Sequence, residues 1–362
     1  MKLRVVDLSR VLAGPVCSMI LGDLGADVIK VERRGSGDET RGWGPPFGPS
    51  GDSAYFLSIN RNKKSIAADL SVDRDRSAVV ELIKTADVVL ENFLPGALTK
   101  LGLGADSLLE ANPNLIWCTI SGFGGDSSRP GYDFVIQAES GWMSITGEPD
   151  GAPMKIGIAL ADVIAGKDAA IAILAAVADR DAGRLSDARR RIVVSLAASA
   201  VASLVNVAQN VMVSGNDAKR WGNAHPNLVP YQLFNAADRP LVIAVGSDSQ
   251  WLQCARALDL TDLADDPTLL TNAGRVAQRS RVVHSIAARV RDNNAQHWID
   301  RLDSANVPCG VVRSVKEALA GTGADPVTGV PPSVPGTVRL APPGLDEHGD
   351  AIRALGWRAF NP

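Results

Sequence analysis

The first 120 residues alternate between short apolar runs and segments suited to helices, and this alternation limits the folds open to the chain. The apolar runs cover residues 3–7, 27–31, 64–70, 87–90 and 115–121. Between them, residues 15–25 and 73–85 are predicted to be helical. Strands that alternate with helices form parallel sheets with helices packed against them. The sequence therefore predicts an α/β fold built on a parallel sheet.

Turns and basic side chains recur where these predicted strands end. Ligands of parallel sheets bind beyond the carboxyl ends of the strands, and the turns at 33–37, 92–96 and 122–125 fall there. Several cations at one sheet edge suit a ligand with several phosphates, and Phe93 could face a flat ring. These features predict a nucleotide-bearing ligand and leave NAD, ATP and coenzyme A open. The basic residues are Arg33, Arg34, Lys63, Lys64 and Lys100.

Asp162 is the single carboxylate in the apolar stretch 157–166. It has two possible roles. It is a helix N-cap if the helix begins at Val163 and runs to about Arg180, or it is an activated carboxylate acting as nucleophile or base. The roles are compatible, because the positive end of a helix favours an ionised carboxylate. The ionised form is the one that attacks a carbonyl.

Charge and composition exclude several classes of protein. The net charge of −3 provides no basic field for a nucleic acid or an anionic membrane surface. The apolar segment 192–213 is interrupted by polar residues and is predicted to be a buried helix rather than a membrane span. Four scattered cysteines and four isolated histidines predict reduced thiols, no metal site and a cytoplasmic location.

Composition also predicts how the chain is divided. Residues 214–230 are polar and contain Gly, Asn and Pro, which indicates a boundary. Residues 321–343 are dense in Gly and Pro and are predicted to lead the chain back. We therefore predict a large domain begun by residues 1–213, a small domain at 214–320, and a return segment at 321–362.

Ordered motifs over nearly the whole chain point to one family. They include LGDLGADVIKVE at 21–32, NRNKKS at 60–65, DVVLENFLPG at 87–96, GYD at 131–133, HPN at 225–227 and VPCG at 307–310, together with the Asp162 segment. With these motifs the chain resembles the family III CoA-transferases.

This resemblance implies a Rossmann-like large domain with a parallel sheet, a smaller α/β domain, and an interlocked homodimer. It also implies acyl-CoA and carboxylic acid substrates, with coenzyme A as co-substrate and no metal. Asp162 matches the family's nucleophile, which forms aspartyl anhydride and aspartyl-CoA thioester intermediates. The matching coenzyme A positions are Arg33, Ala68, Asn92, Phe93, Ala97, Lys100 and Leu101, with Tyr132 and Asp133 on the acyl side.

Two other functions stay open at this point. Related α-methylacyl-CoA racemases carry histidine where this chain has Tyr132. Tyrosine, with an unperturbed pKa of about 10, is a poor base near neutral pH, so transfer is favoured. The other alternative is a non-catalytic CoA-binding protein. Leu12 stands where family members that act on formate or oxalate carry glutamine, which favours a larger acid as substrate. Residues 147–151 resemble those of members that use succinyl-CoA.

Overall fold

The fold was examined in a computed structural model that describes residues 2–360. Residues up to Met143, Lys155–Asn216 and the residues from Leu319 onward form one compact unit. Ser144–Met154 and Asp217–Ala318 form a second unit. The first unit is thus assembled from three separate stretches of the chain.

A six-stranded parallel sheet organises the first unit, in the order β3-β2-β1-β4-β5-β6. The predicted parallel sheet is confirmed, and its strand order reverses between β1 and β4, where ligands of such sheets bind. The strands are β1 (Arg4–Asp7), β2 (Asp27–Arg33), β3 (Lys63–Ala68), β4 (Val88–Glu91), β5 (Ile116–Ser121) and β6 (Arg191–Ser195).

The second unit contains a three-stranded antiparallel sheet in the order β7-β8-β9. Its strands are β7 (Tyr231–Asn235), β8 (Pro240–Ala244) and β9 (Cys309–Val311). The third of these strands has only three residues.

Helices connect the strands. The first ten are α1 (Ala13–Asp23), α2 (Ala54–Leu57), α3 (Asp73–Lys84), α4 (Ala97–Lys100), α5 (Ala105–Ala111), α6 (Asp133–Glu139), α7 (Trp142–Ile145), α8 (Leu160–Asp181), α9 (Leu196–Ala202) and α10 (Val205–Ser214). The others are α11 (Asp248–Ala257), α12 (Thr261–Ala264), α13 (Asn272–Ala277), α14 (Arg279–Val290), α15 (Ala295–Ser304), α16 (Val315–Leu319) and α17 (Gly349–Leu355). Short 3₁₀ segments lie at Glu39–Gly42, Pro267–Leu269 and Gly356–Phe360.

The parallel sheet is buried on both faces. Successive side chains of a strand point to opposite faces, so Val5 and Val88 join one apolar core, whereas Val6 and Val89 join the other. Burial on both sides explains why these strands are apolar runs without alternation.

Helix α8 packs closely on α1 because Gly166 has no side chain. A Cβ atom at Gly166 would lie 2.5 Å from the carbonyl oxygen of Ala13 and 3.1 Å from Cγ1 of Val16. Real Cβ atoms do not approach a backbone oxygen so closely. Gly166 therefore sets how near the start of α1 comes to α8.

The predicted buried helix within residues 192–213 is wrong in two respects. The chain forms two helices there, α9 and α10, bent by 70° relative to one another. No residue of α10 is buried. Within residues 2–360 no single helix has the length and apolar composition to cross a membrane, although this bent pair passes the same test when its two helices are taken together.

The segment after Leu319 completes the first unit through hydrogen bonds to Asn62. The Asn62 Oδ1 atom accepts the backbone N–H groups of Arg339 at 2.6 Å and Leu340 at 2.9 Å. Its Nδ2 atom donates to the carbonyl oxygen of Thr337 at 2.9 Å and to Asp23 Oδ1 at 2.7 Å. Because Asn62 is fully buried, these bonds satisfy an amide that would otherwise be costly to bury.

Candidate active site

A cavity of about 670 Å³ opens at the carboxyl ends of β1, β4 and β5. Its position matches the reversal in strand order between β1 and β4. The lining combines the turn after β1, the loop after β4, the glycine-rich loop after β5, and one residue of α8. The lining residues in these four parts include Arg10, Val11, Leu12, Ala13, Asn92, Phe93, Gly122, Gly125, Tyr132 and Asp162.

Asp162 reaches this cavity from the first turn of α8, not from its N-cap. The helix begins at Leu160, and the N-cap residue is Ala159, which makes no side-chain cap. The prediction that Asp162 caps a helix starting at Val163 is therefore wrong. The side chain of Asp162 is half-buried, and no hydrogen bond or ion pair from residues 2–360 occupies its oxygens.

Asp133 performs the capping that the sequence suggested for Asp162. Its Oδ1 atom accepts the backbone N–H of Ala161 at 2.8 Å, which is one of the free donors in the first turn of α8. Its Oδ2 atom accepts a hydrogen bond from Gln137 Nε2 at 2.6 Å. Asp133 does not line the cavity. In this structure it contacts the start of the helix that carries Asp162, and its place on the acyl side stays a prediction.

Burial, followed by the charge of Asp133, raises the pKa of Asp162 to about 7. Both effects oppose the ionised form that the positive end of a helix favours. Near pH 7 the group is divided between its two forms. Acids with such raised pKa values in a cavity mark candidate functional sites, and a more basic carboxylate is also a better nucleophile.

Tyr55 lies in the same electrostatic environment. Burial, then the charges of Asp162, Asp133 and Asp38, raise the pKa of Tyr55 to about 12. Its hydroxyl group therefore stays protonated at neutral pH. Sequence reasoning did not single out Tyr55, because no motif links residue 55 to residue 162.

The turn after β1 is held in a strained conformation at the edge of the cavity. Val11 has a φ of 72°, which is unfavourable for a β-branched residue. Asn92 braces the neighbouring residue: its Oδ1 accepts the Arg10 N–H at 3.0 Å, and its Nδ2 donates to the Arg10 carbonyl at 2.8 Å. Asn92 therefore lines the cavity as predicted for a binding residue, while its amide also shapes the turn.

A second cavity of about 220 Å³ adjoins the ends of β2 and β3. Four of the predicted coenzyme A positions line it, and Phe93 lines both cavities. Ala97 and Lys100 line neither; they lie on α4, where Lys100 is exposed. The four predicted residues of this second cavity are Arg33, Ala68, Phe93 and Leu101.

Arg10 was missed by sequence reasoning although it borders both cavities. Its guanidinium carbon lies 5.2 Å from the centre of the Phe93 ring, and its Nη1 atom is 2.7 Å from Glu39 Oε1. Arg10 follows β1 by three residues. Nearness to the end of a strand, the criterion that selected Arg33, could therefore have identified it.

Besides Lys100, three of the basic residues selected at strand ends line neither cavity. Arg34 pairs with Asp75 at 2.6 Å. Lys63 is fully buried and pairs with Asp7 at 3.2 Å, and burial lowers the pKa of Lys63 to about 8. Lys64 donates to the carbonyl oxygen of Ala359 at 2.6 Å. The suggestion that these lysines converge on phosphates is therefore wrong.

The glycine-rich loop after β5 brings backbone groups to the cavity. Gly122 and Gly125 line it, and a Cβ atom at Gly122 would lie 2.5 Å from Cα of Gly131. Glycine is therefore required at residue 122, where the loop after β5 packs against Gly131. Within residues 2–360 no group of three or more His, Cys, Asp or Glu residues is arranged to hold a metal ion.

Comparisons with known proteins agree on one family. The sequence model named CoA-transferase family III matches residues 2–330. The chain is 42% identical over 323 residues to a succinyl-CoA:glutarate CoA-transferase of Mus musculus, covering 88% of this chain and 72% of the mouse protein. It is also 42% identical over 326 residues to a succinate–glutarate CoA-transferase of Agrobacterium fabrum, covering 88% and 81%. The crystal structure of a CAIB/BAIF family protein from Brucella suis matches with a TM-score of 0.85 and 39% identity over 97% of both chains.

Proposed function

The chain belongs to CoA-transferase family III and is a CoA-transferase, and on that premise we propose that it moves coenzyme A from succinyl-CoA to a second carboxylic acid with Asp162 as nucleophile. The observation that carries this proposal is one carboxylate with a pKa of about 7 and unoccupied oxygens, facing a cavity large enough for an acyl group. The names of the mouse and bacterial relatives support succinyl-CoA as donor and a dicarboxylic acid such as glutarate as acceptor.

The first half of the reaction loads coenzyme A onto the enzyme. The ionised Asp162 attacks the thioester carbonyl, the C–S bond breaks, and a mixed anhydride and the CoA thiolate form. The thiolate then attacks the Asp162 carbonyl of that anhydride. The donor leaves as a free carboxylate, and Asp162 carries coenzyme A as a thioester.

The second half repeats these steps in reverse order. The acceptor carboxylate attacks the Asp162 thioester, releases the thiolate and forms a second anhydride. The thiolate attacks the acceptor's carbonyl, which yields the new acyl-CoA and frees Asp162. No step needs a net proton transfer, so the sequence of steps is consistent with a cavity lined by no histidine among the described residues.

Each attack produces a tetrahedral oxyanion that needs hydrogen-bond donors. The backbone N–H groups of the loop at Gly122 and Gly125, which line the same cavity as Asp162, are the donors we propose. Coenzyme A would extend from this cavity past Arg10 and Phe93 toward the second cavity, where Arg33 presents an exposed guanidinium.

Substitution of Asp162 tests the proposal. Asp162→Ala and Asp162→Asn are expected to lower transfer between succinyl-CoA and a panel of dicarboxylic acids by more than about 10³-fold, as removal of a nucleophile does. Hydroxylamine trapping followed by peptide mass spectrometry should find a hydroxamate at residue 162 in the natural enzyme and in neither variant.

A matched control is available on the same helix. Asp168 accepts a hydrogen bond from Ser199 Oγ at 2.6 Å, and Asp168→Asn is expected to keep transfer and trapping intact. Full activity in Asp162→Ala would refute the mechanism. Deuterium incorporation at the α-carbon without an acceptor acid would instead favour the racemase alternative.

We also propose that two chains associate as a homodimer. Helix α10 has no buried residue within one chain. Three of its apolar side chains, Val205, Met212 and Val213, are between 70% and 78% exposed. Adjacent exposed apolar side chains of this kind mark interaction surfaces. The interlocked dimer implied by the family resemblance would cover them.

A further inference from the structure

Gln137 is a fully buried polar residue on α6 that neither the motifs nor the comparisons single out. Its hydrogen-bonding partners are Asp133 and two residues of the segment that leads to Asp162. Its Oε1 atom accepts the backbone N–H of Ile156 at 2.8 Å. Its Nε2 atom donates to Asp133 Oδ2 at 2.6 Å and to the carbonyl oxygen of Ile158 at 3.2 Å.

These bonds hold the chain on its way into the first turn of α8. Ile156 and Ile158 precede Asp162 by six and four residues and lie in a stretch without helix or strand. Asp133, fixed by Gln137, in turn accepts the N–H of Ala161, next to Asp162. One amide group thus restrains the segment before the nucleophile at two points directly and at a third point through Asp133.

The arrangement affects charge as well as position. The carboxylate that Gln137 orients is the same one whose charge contributes to the raised pKa of Asp162. If Asp133 turned away, both the cap on α8 and the distance between the two carboxylates would change. Catalytic groups lose much of their effect when displaced by about 1 Å.

We propose that Gln137 is a positioning residue for the transfer reaction, which aligns Asp162 through Asp133 and the 156–158 segment without touching substrate. This inference rests on the proposed role of Asp162. Gln137 thereby acts in the chemical step rather than in the binding of coenzyme A. Its partners are Asp133 and the segment before Asp162, and Gln137 lines neither of the two cavities.

The test replaces Gln137 by methionine, which keeps the length of the side chain and removes its three hydrogen bonds. We expect kcat for succinyl-CoA to fall about 10- to 100-fold, with KM for succinyl-CoA changed less than about twofold. Hydroxamate at Asp162 should form more slowly by the same factor as kcat. Amide hydrogen exchange should accelerate at Ile156 and Ala161 while core strands β1 and β4 keep their protection.

Gln296→Met is the matched control. Gln296 donates to Asp300 Oδ1 at 2.7 Å, so it forms a glutamine–aspartate pair with the same four-residue spacing, on the exposed part of α15. This variant should leave kcat, KM and trapping unchanged. If Gln137→Met does not fold, Gln137→Glu, which retains the acceptor for Ile156 but in its ionised form cannot donate to Asp133, is expected to show the same loss of kcat.

Three outcomes overturn the inference: an unchanged kcat in a folded Gln137 variant, a loss confined to KM, or unchanged exchange at Ile156 and Ala161. If the natural enzyme shows neither transfer nor hydroxamate, the proposed function fails by itself. The exchange comparison then decides alone whether Gln137 restrains the segment before Asp162.

Discussion

At the scale of single residues, two acids divide tasks that the sequence could not separate. Asp133 is 28 residues from Ala161 in the sequence, yet its carboxylate caps α8 and its charge acts on Asp162. Among residues 2–360, none hydrogen-bonds to the oxygens of Asp162 itself. A single sequence gives local capping preferences, but it cannot show that a distant carboxylate already supplies the cap.

Asp133→Asn tests this division through the pH dependence of kcat/KM, which reports the ionisation of the free enzyme. The natural enzyme should lose activity as pH falls through about 7, because Asp162 becomes protonated. Burial, the larger cause of the raised pKa, remains in the variant, while the charge of Asp133 is removed. The acidic limb should therefore move to lower pH by roughly half a unit to one unit.

Asp168→Asn serves as the control for this shift. Asp168 lies on α8 but is not among the groups that raise the pKa of Asp162, so its removal should leave the limb in place. An acidic limb unchanged in Asp133→Asn, or one moved to higher pH, would contradict the electrostatic role of Asp133.

At the scale of elements, the contact between α1 and α8 fixes the position of Asp162 relative to the turn after β1. Gly166 lies one turn beyond Asp162 on the same face of α8 and touches the carbonyl of Ala13, which lines the cavity. The helix pair thus connects the position of Asp162 to the position of residues 11–13.

Gly166→Ala should disturb this contact. The added Cβ, 2.5 Å from the Ala13 oxygen, must push the helices apart, and overpacking of this kind costs about 1–3 kcal/mol. Alanine's better helix propensity offsets up to about 1 kcal/mol of that. We expect kcat to fall by about tenfold or more, measured alongside the unfolding free energy in urea.

Ile173→Val, on the same helix and fully buried, provides the comparison. It should cost about 0.5–1.5 kcal/mol of stability with little change in kcat. If both variants lost activity only in proportion to stability, the spacing of α1 and α8 would have no separate role.

The elements differ in how well the sequence predicted them. The first five parallel strands were foreseen, because a strand buried on both faces leaves a continuous apolar run, as at residues 116–121. The break between α9 and α10 was missed, since apolar residues continue on both sides of it and the bend leaves α10 exposed in one chain. The candidate site was predicted where residues stand at the carboxyl end of a strand, as Arg33 does at the end of β2. It was missed where contact is made across the fold, as with Tyr55 and Gln137.

At the scale of the whole molecule, the exposed apolar helix α10 tests whether two chains associate. Met212→Lys combined with Val213→Lys places two charges among side chains that are 70% and 78% exposed. If a second chain covers α10, burying these charges would be costly. Light scattering after size exclusion should then find one chain mass for the variant and twice that mass for the natural protein.

Val315→Lys is the control for this experiment, because Val315 is equally exposed, at 77%, but lies on α16. It should leave the mass unchanged. A natural protein with the mass of one chain, or a double variant that keeps twice that mass, would contradict the proposed association through α10.

The hydrogen bonds of Asn62 to the last part of the chain have a consequence for biosynthesis. Asn62 leaves the ribosome 275 residues ahead of Thr337, to which its side chain donates. Until Thr337 is translated the Asn62 amide lacks this partner, although Asp23 can already pair with Arg61, and by that point the second unit has been translated. Contacts so distant in sequence form slowly, so we expect the first unit to complete its folding late in translation or after it. A message cut short before codon 337 would yield a chain that lacks these hydrogen bonds.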